Sequence, residues 1–159
     1  MTSKVRGNAA AIDEAAEEYI TVRIADQLFG LPILGVQDVF MPESVANVPL
    51  APPEVAGVLN LRGRIVTAID MRRRLGLPPS QTKKARMAVG IEHNGESYGL
   101  VIDEVGEVQR LSPDTFEANP VNLDPRWAGV SAGIHRLDGS LMVVLDVKKV
   151  LALSVKEAA

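Results

Sequence analysis

The chain has 159 residues, a formal net charge of −3 and no cysteine. Its length suits one ordinary domain, and the absence of thiols excludes disulfides and thiolate chemistry. A mildly acidic balance and an aromatic content of 4% argue against a nucleic-acid partner, which needs cations on phosphates and rings under bases.

Residues 1–18 are rich in Ala and Glu and read as a flexible arm, with Asp13, Glu14, Glu17 and Glu18 as a solvated charge run. They carry no apolar run of signal-peptide length. No later stretch approaches the roughly 20 apolar residues of a membrane span, so a cytoplasmic protein without direct membrane insertion is expected. From Tyr19 the composition changes. Tyr19–Ile24 is β-branched and partly alternating, which predicts a strand, and Asp26-Gln27 suits a turn before Phe29–Ile33. Pro32 cannot donate to a ladder, so that second run is an edge strand or a strand end.

Pro42, Pro49, Pro52 and Pro53 make residues 41–55 a loop. Three hairpins then follow. Arg62-Gly63 separates Gly57–Leu61 from Arg64–Ile69, Asn94-Gly95 separates Ala85–His93 from Glu96–Ile102, and Asp138-Gly139 separates Ser131–Leu137 from Ser140–Leu145. Short helices are predicted at Met71–Leu75 and Val147–Leu153, with Asp70 and Asp146 in N-cap position. A further loop covers about Ser112 to Pro125. The reading is mostly β, in short strands.

The chain repeats itself. Phe29–Val39 aligns without gaps on Tyr98–Val108, and Gly57–Leu75 aligns in the same order on Gly133–Leu151. Two copies of one β unit, packed through a shared apolar seam, would explain this. The copies differ at one turn: Asn60 and Arg62 stand where the second copy has Arg136 and Asp138.

No catalytic constellation emerges. The histidines, His93 and His135, are isolated and read as solvated or rim residues, which leaves no metal site. Ser131, His135 and Asp138 make a triad only on paper, because Asp138 sits in a turn. Asp103, Glu104 and Glu107 lack the oxygen-ligand spacing of a cation loop. Arg72-Arg73-Arg74, with Lys83-Lys84 near, reads first as the solvated face of a short helix and second as an electrostatic partner contact. No cofactor is expected.

The stretch Gly57-Val58-Leu59-Asn60-Leu61-Arg62-Gly63, continuing through Ile69-Asp70-Met71-Arg72, resembles the signature of the bacterial chemotaxis coupling proteins, the CheW family. Phe29–Val39 resembles the family's upstream segment. Thr67 departs from a usual Pro, and Asp38 from a usual Glu. The resemblance implies two five-stranded SH3-like β-barrel subdomains around a shared hydrophobic core, with short helices. The expected single domain is 19–154, with subdomains at about 19–82 and about 83–146 and a C-terminal helix at 147–154. It also implies a non-catalytic adaptor that binds the regulatory domain of the chemotaxis histidine kinase and the cytoplasmic tip of chemoreceptors, recruited to membrane-associated arrays. The length favours the stand-alone adaptor over a fused form. A same-family adaptor for a non-flagellar pathway, such as surface motility, is the alternative.

Residue by residue, the resemblance carries a receptor- and kinase-binding role to Val36, Asp38, Gly57, Asn60, Leu61, Arg62 and Gly63. Arg62 would make charge-assisted hydrogen bonds to the receptor tip. Leu61 and Val36 would give apolar contact in a groove between subdomains, and Gly57 would permit close approach of backbones. Kinase contacts would use strand edges of the first subdomain. Gly63 is equally what a tight turn needs, Leu61 suits a core, and Arg62 suits a solvated turn.

Overall fold

The computed structural model describes residues 16–81 and 85–153. Most of the expected arm, Lys83-Lys84 and residue 154 lie outside them. The elements in order are β1 (Glu17–Ile24), β2 (Gln27–Pro32), β3 (Val36–Phe40), β4 (Val55–Leu61), β5 (Arg64–Asp70), α1 (Met71–Arg74), β6 (Met87–His93), β7 (Glu96–Ile102), β8 (Glu104–Leu111), β9 (Phe116–Glu117), α2 (Pro125–Ala128), β10 (Ser131–Leu137), β11 (Ser140–Leu145) and α3 (Val147–Val150). All three expected hairpins form. Arg62 and Gly63 have φ of 52° and 83°, and Asn94 and Gly95 have 53° and 80°, the positive pair of a two-residue hairpin turn.

The strands make two sheets, ordered β8-β1-β2-β11-β10-β9 and β3-β6-β7-β5-β4. This is the expected mostly-β, SH3-like architecture. β9 is a two-residue addition at the end of the six-stranded sheet. The repeat is visible as matched pairing. β2 runs parallel to β11 with Phe29 opposite Val143, and β7 runs parallel to β5 with Tyr98 opposite Thr67.

The division of the sheets corrects the expected boundary near residue 82. The first hairpin of each copy sits in the other copy's sheet: β1–β2 joins β8–β11, and β6–β7 joins β3–β5. The chain crosses between sheets at the 3₁₀ turn Ile33–Gly35 and again at Asp103. β2 on β11 and β7 on β5 are parallel pairs, and each is joined by a long crossover connection rather than by a hairpin.

Three apolar clusters follow. The largest lies between the sheets and draws Val22, Ile24, Phe29 and Leu31 from one and Ile69, Val89, Ile91, Leu100 and Ile102 from the other. Phe40, Leu59, Val66, Ala68, Ala88 and Val101 fill the five-stranded sheet, and Tyr19, Met142 and Val144 lie within the six-stranded one.

Other local expectations shift. Glu17 and Glu18 belong to β1 rather than to an arm, and the first turn is Ala25-Asp26, with Gln27 already in β2. The expected C-terminal helix 147–154 is one turn, Val147–Val150. Asp146 caps it, but Leu151 leaves helical geometry. The loop before Pro125 conceals β9, and Asp124 caps a helical turn just beyond it.

His135, expected at a rim, is 1% exposed. Of Arg72-Arg73-Arg74 only Arg73 is exposed, and all three are bound. Arg72 donates to both oxygens of Asp103, at 3.1 Å from Nε and 2.7 Å from Nη2. Arg73 donates to the Pro53 carbonyl, and Arg74 caps α3 through the Lys149 and Val150 carbonyls. The helix end needs cations there, since its last carbonyls lack partners.

Candidate functional site

The seven residues singled out in the sequence come from two strands and one turn of the five-stranded sheet. Val36 and Asp38 lie on β3, one edge of that sheet; Gly57, Asn60 and Leu61 lie on β4, the other edge; Arg62 and Gly63 turn into β5. Although β3 and β4 are the outermost strands, the side chains of Asp38 and Arg62 meet. Arg62 Nη1 lies 2.9 Å from Asp38 Oδ2. Arg64 Nη2 lies 3.6 Å from the same oxygen.

Asp38 is mostly covered, whereas the Arg62 side chain is 69% exposed. One acid thus holds an arginine that still offers most of its guanidinium to solvent. The other carboxylate oxygen, Asp38 Oδ1, is buried without a hydrogen-bond partner among the described residues. It fits only because Gly90 faces it: a Cβ there would stand 2.2 Å away. β3 bulges between Val36 and Asp38, which sets the orientation of that side chain. The shorter acid therefore still reaches two cations.

Asn60 works within the turn, its Oδ1 accepting the Gly63 N–H at 2.8 Å. Leu61 packs against the five-stranded sheet's own core, and Val36 packs against the core between sheets. Both are half-buried. The space over Gly57 is filled by this chain. A Cβ there would lie 2.3 Å from the Ala46 carbonyl oxygen, and φ is 150°. Ala46 and Val58 exchange two backbone hydrogen bonds at 2.7 and 2.9 Å, so Gly57 lets the proline-rich loop lie on β4.

Two neighbours were missed in the sequence. Arg64, Ile65 and Thr67 of β5, with Gln37 of β3 and Glu92 of β6, line an open hollow of about 460 Å³. Arg64 shares Asp38, and Ile65 is 62% exposed. Period-two alternation after the Arg62-Gly63 turn puts Arg64 and Ile65 on opposite faces of β5, and it gives no sign of Asp38, which is 26 residues away from Arg64 in the chain.

Among the described residues no group of His, Asp and Glu could hold a metal ion. Among the described residues no helix is long and apolar enough to cross a membrane. The Ser131 hydroxyl lies 2.7 Å from Asn119 Oδ1 and 2.9 Å from the Gly133 carbonyl oxygen, so no histidine activates it.

Across residues 18–155 the chain matches the CheW-like domain. It belongs to the CheW family. Among CheW relatives, the chemotaxis protein CheW of Helicobacter pylori is 27% identical, with 91% of this chain and 87% of that protein covered. Protein PilI of Pseudomonas aeruginosa is 31% identical over 79% of this chain and 70% of its own length. The crystal structure of scaffolding protein TtCheW from Thermoanaerobacter tengcongensis superposes with a TM-score of 0.78 at 25% identity, covering 87% of this chain and 94% of that one.

Proposed function

We propose that this CheW-family chain is a non-catalytic adaptor coupling chemoreceptors to the chemotaxis histidine kinase, through the receptor's cytoplasmic tip and the kinase's regulatory domain. The observation that carries this reading is the family match over residues 18–155, which takes in both sheets. Relatives named chemotaxis protein CheW and a solved relative titled a scaffolding protein support it. The adaptor acts in the cytoplasm, without a cofactor, and reaches the membrane through the receptor array.

Arg62 is the residue built for the receptor. It is exposed, its orientation is held by Asp38, and its planar fork suits a carboxylate or carbonyl on a helical tip. Leu61, Val36 and Ile65 supply apolar contact beside it. Asn60, Gly63 and Gly57 serve the site indirectly, by shaping the turn and the strand that carry Arg62. The β3 edge of the five-stranded sheet offers backbone for the kinase.

Calorimetric titration tests this directly. The chain is titrated with the regulatory domain of its own organism's chemotaxis kinase and, separately, with a receptor-tip fragment. Micromolar binding of both is expected, with Arg62→Glu weakening the receptor fragment and sparing the kinase domain. No binding to any kinase regulatory domain of that genome would defeat the reading. A second reading, an adaptor of the same family in a non-flagellar pathway such as surface motility, is favoured by the 31% identity to PilI. Binding only to a kinase outside the flagellar set would select it.

A further inference from the structure

His135 occupies a place where the other copy of the repeat has Leu59, and both are buried. One copy thus keeps an aliphatic core residue and the other an imidazole. The ring sits edge-on between Tyr19 at 5.2 Å and Phe116 at 5.3 Å. Beside it is a cavity of about 160 Å³, completed by Glu17, Leu111 and Pro113. Both ring nitrogens have hydroxyl neighbours: Thr115 Oγ1 lies 2.8 Å from Nδ1 and the Tyr19 hydroxyl 3.2 Å from Nε2.

The Thr115 hydroxyl donates to the Ser112 carbonyl at 3.1 Å, and its oxygen lies 2.8 Å from Nδ1, where the tautomer sets which group donates. The Tyr19 hydroxyl lies 3.2 Å from Nε2 and 3.2 Å from Glu17 Oε1. The Tyr19 hydroxyl donates to Glu17, so its oxygen can accept from Nε2 when the ring is protonated. Burial, then the Glu17 carboxylate, push the Tyr19 hydroxyl up to about 12, so it stays protonated throughout.

The ring also holds something weak. β9 pairs with β10 through only two residue pairs, Glu117 with Ile134 and Phe116 with His135 itself. The segment 112–117 is thus fastened by the Phe116 contact, the Thr115 hydrogen bond and this short ladder. Glu117 is held by Arg136 at 3.0 Å, on the exposed side. From the surrounding elements, β1 brings Glu17, β9 brings Glu117, and β8 and β11 bring the uncharged Leu111 and Met142.

We propose that His135 is an acid-sensitive latch that holds the 112–117 segment on β10, so that protonation releases the segment and uncovers the β10 edge. The physical reason is desolvation. A buried imidazolium has one carboxylate within reach, and only through Tyr19, whereas opening gives it water. Burial lowers the His135 pKa below its ordinary 6.5 against the smaller opposing pull of Glu17. The sign follows: the closed state is fully favoured above about pH 6.5 and loses ground as pH falls below it.

Nuclear magnetic resonance on the full chain tests this, with the His135 ring titrated and hydrogen-exchange protection measured at residues 115–117. Protection should fall about tenfold between about pH 7.5 and about pH 5.5. Protection at β11, on the other side of β10, should hold. His135→Leu, copying Leu59, should remove the pH dependence. Constant protection in the native chain, or an unchanged fall in the variant, would overturn the latch. Should that variant misfold, Tyr19→Phe removes the acceptor of the protonated ring and should lower the His135 pKa further; an unshifted titration overturns the latch as well.

Discussion

Asp38 gives one oxygen to two arginines and presses the other against Gly90. That arrangement makes the absence of a side chain at Gly90 as important as the charges. Gly90→Ala would place a methyl carbon where the carboxylate stands. Overpacking of this kind costs about 1–3 kcal/mol, and the ion pair to Arg62 would be displaced with it. A urea melt should show the stability loss. Receptor-tip binding should weaken too, even though residue 90 lies on a different strand from Arg62.

At the scale of elements, α1 and α3, the one-turn helices at matching places in the two copies, answer a shared problem with unequal resources. Asp70 caps α1 by accepting the N–H groups of Arg72 at 3.0 Å and Arg73 at 3.4 Å, and it also holds Arg86 at 3.3 Å. Asp146 caps α3 through Lys148 and Lys149, at 3.0 and 3.3 Å. Replacing Asp146 by Ala removes a cap, worth about 1 kcal/mol. Replacing Asp70 removes a cap and leaves the half-buried Arg86 with less compensation, so about 2–3 kcal/mol is expected. Chemical denaturation of the two variants side by side checks the order.

For the molecule as a whole, the decisive feature is that the two sheets exchange hairpins across a shared core. Asp103 sits at one crossing point and ties the sheets together, accepting Arg72 from the end of the five-stranded sheet and the Ala25 N–H, at 2.8 Å, from the first turn of the other. Burial alone would raise its carboxyl, but hydrogen bonds from Arg72 and Ala25 and the charges of Arg72 and Arg86 outweigh it and hold it below its ordinary 3.8. A depressed carboxyl stabilises the fold above that value and loses the contribution as pH falls through it. Asp103→Asn should therefore lower stability at neutral pH and flatten the acid limb below about pH 4, as read by thermal melts across pH. The exchange also predicts how fragments behave. Residues 36–102 contain the whole five-stranded sheet, whereas residues 16–82 leave both sheets incomplete. Circular dichroism should show more β structure in the first fragment than in the second.

Turns and caps were legible in the amino-acid order because each depends on residues a few places apart, and the repeat because each copy carries its own local pattern. Arg62-Gly63 and Asn94-Gly95 tolerate positive φ, and Asp70 and Asp146 precede the helices they cap. The family signature was legible for the same reason, being one continuous stretch around Asn60–Gly63. Tertiary structure alone decided the rest. Nothing local tells β1–β2 to pair with β11 rather than with β5, since equivalent strands of a repeat present equivalent edges. Nothing local packs His135 on Tyr19, aims Arg72 at Asp103 or brings Arg62 to Asp38, because the partners lie 116, 31 and 24 residues apart. Pattern sets which strands form; the burial of one common core sets which sheet each strand joins, and with it which charges meet.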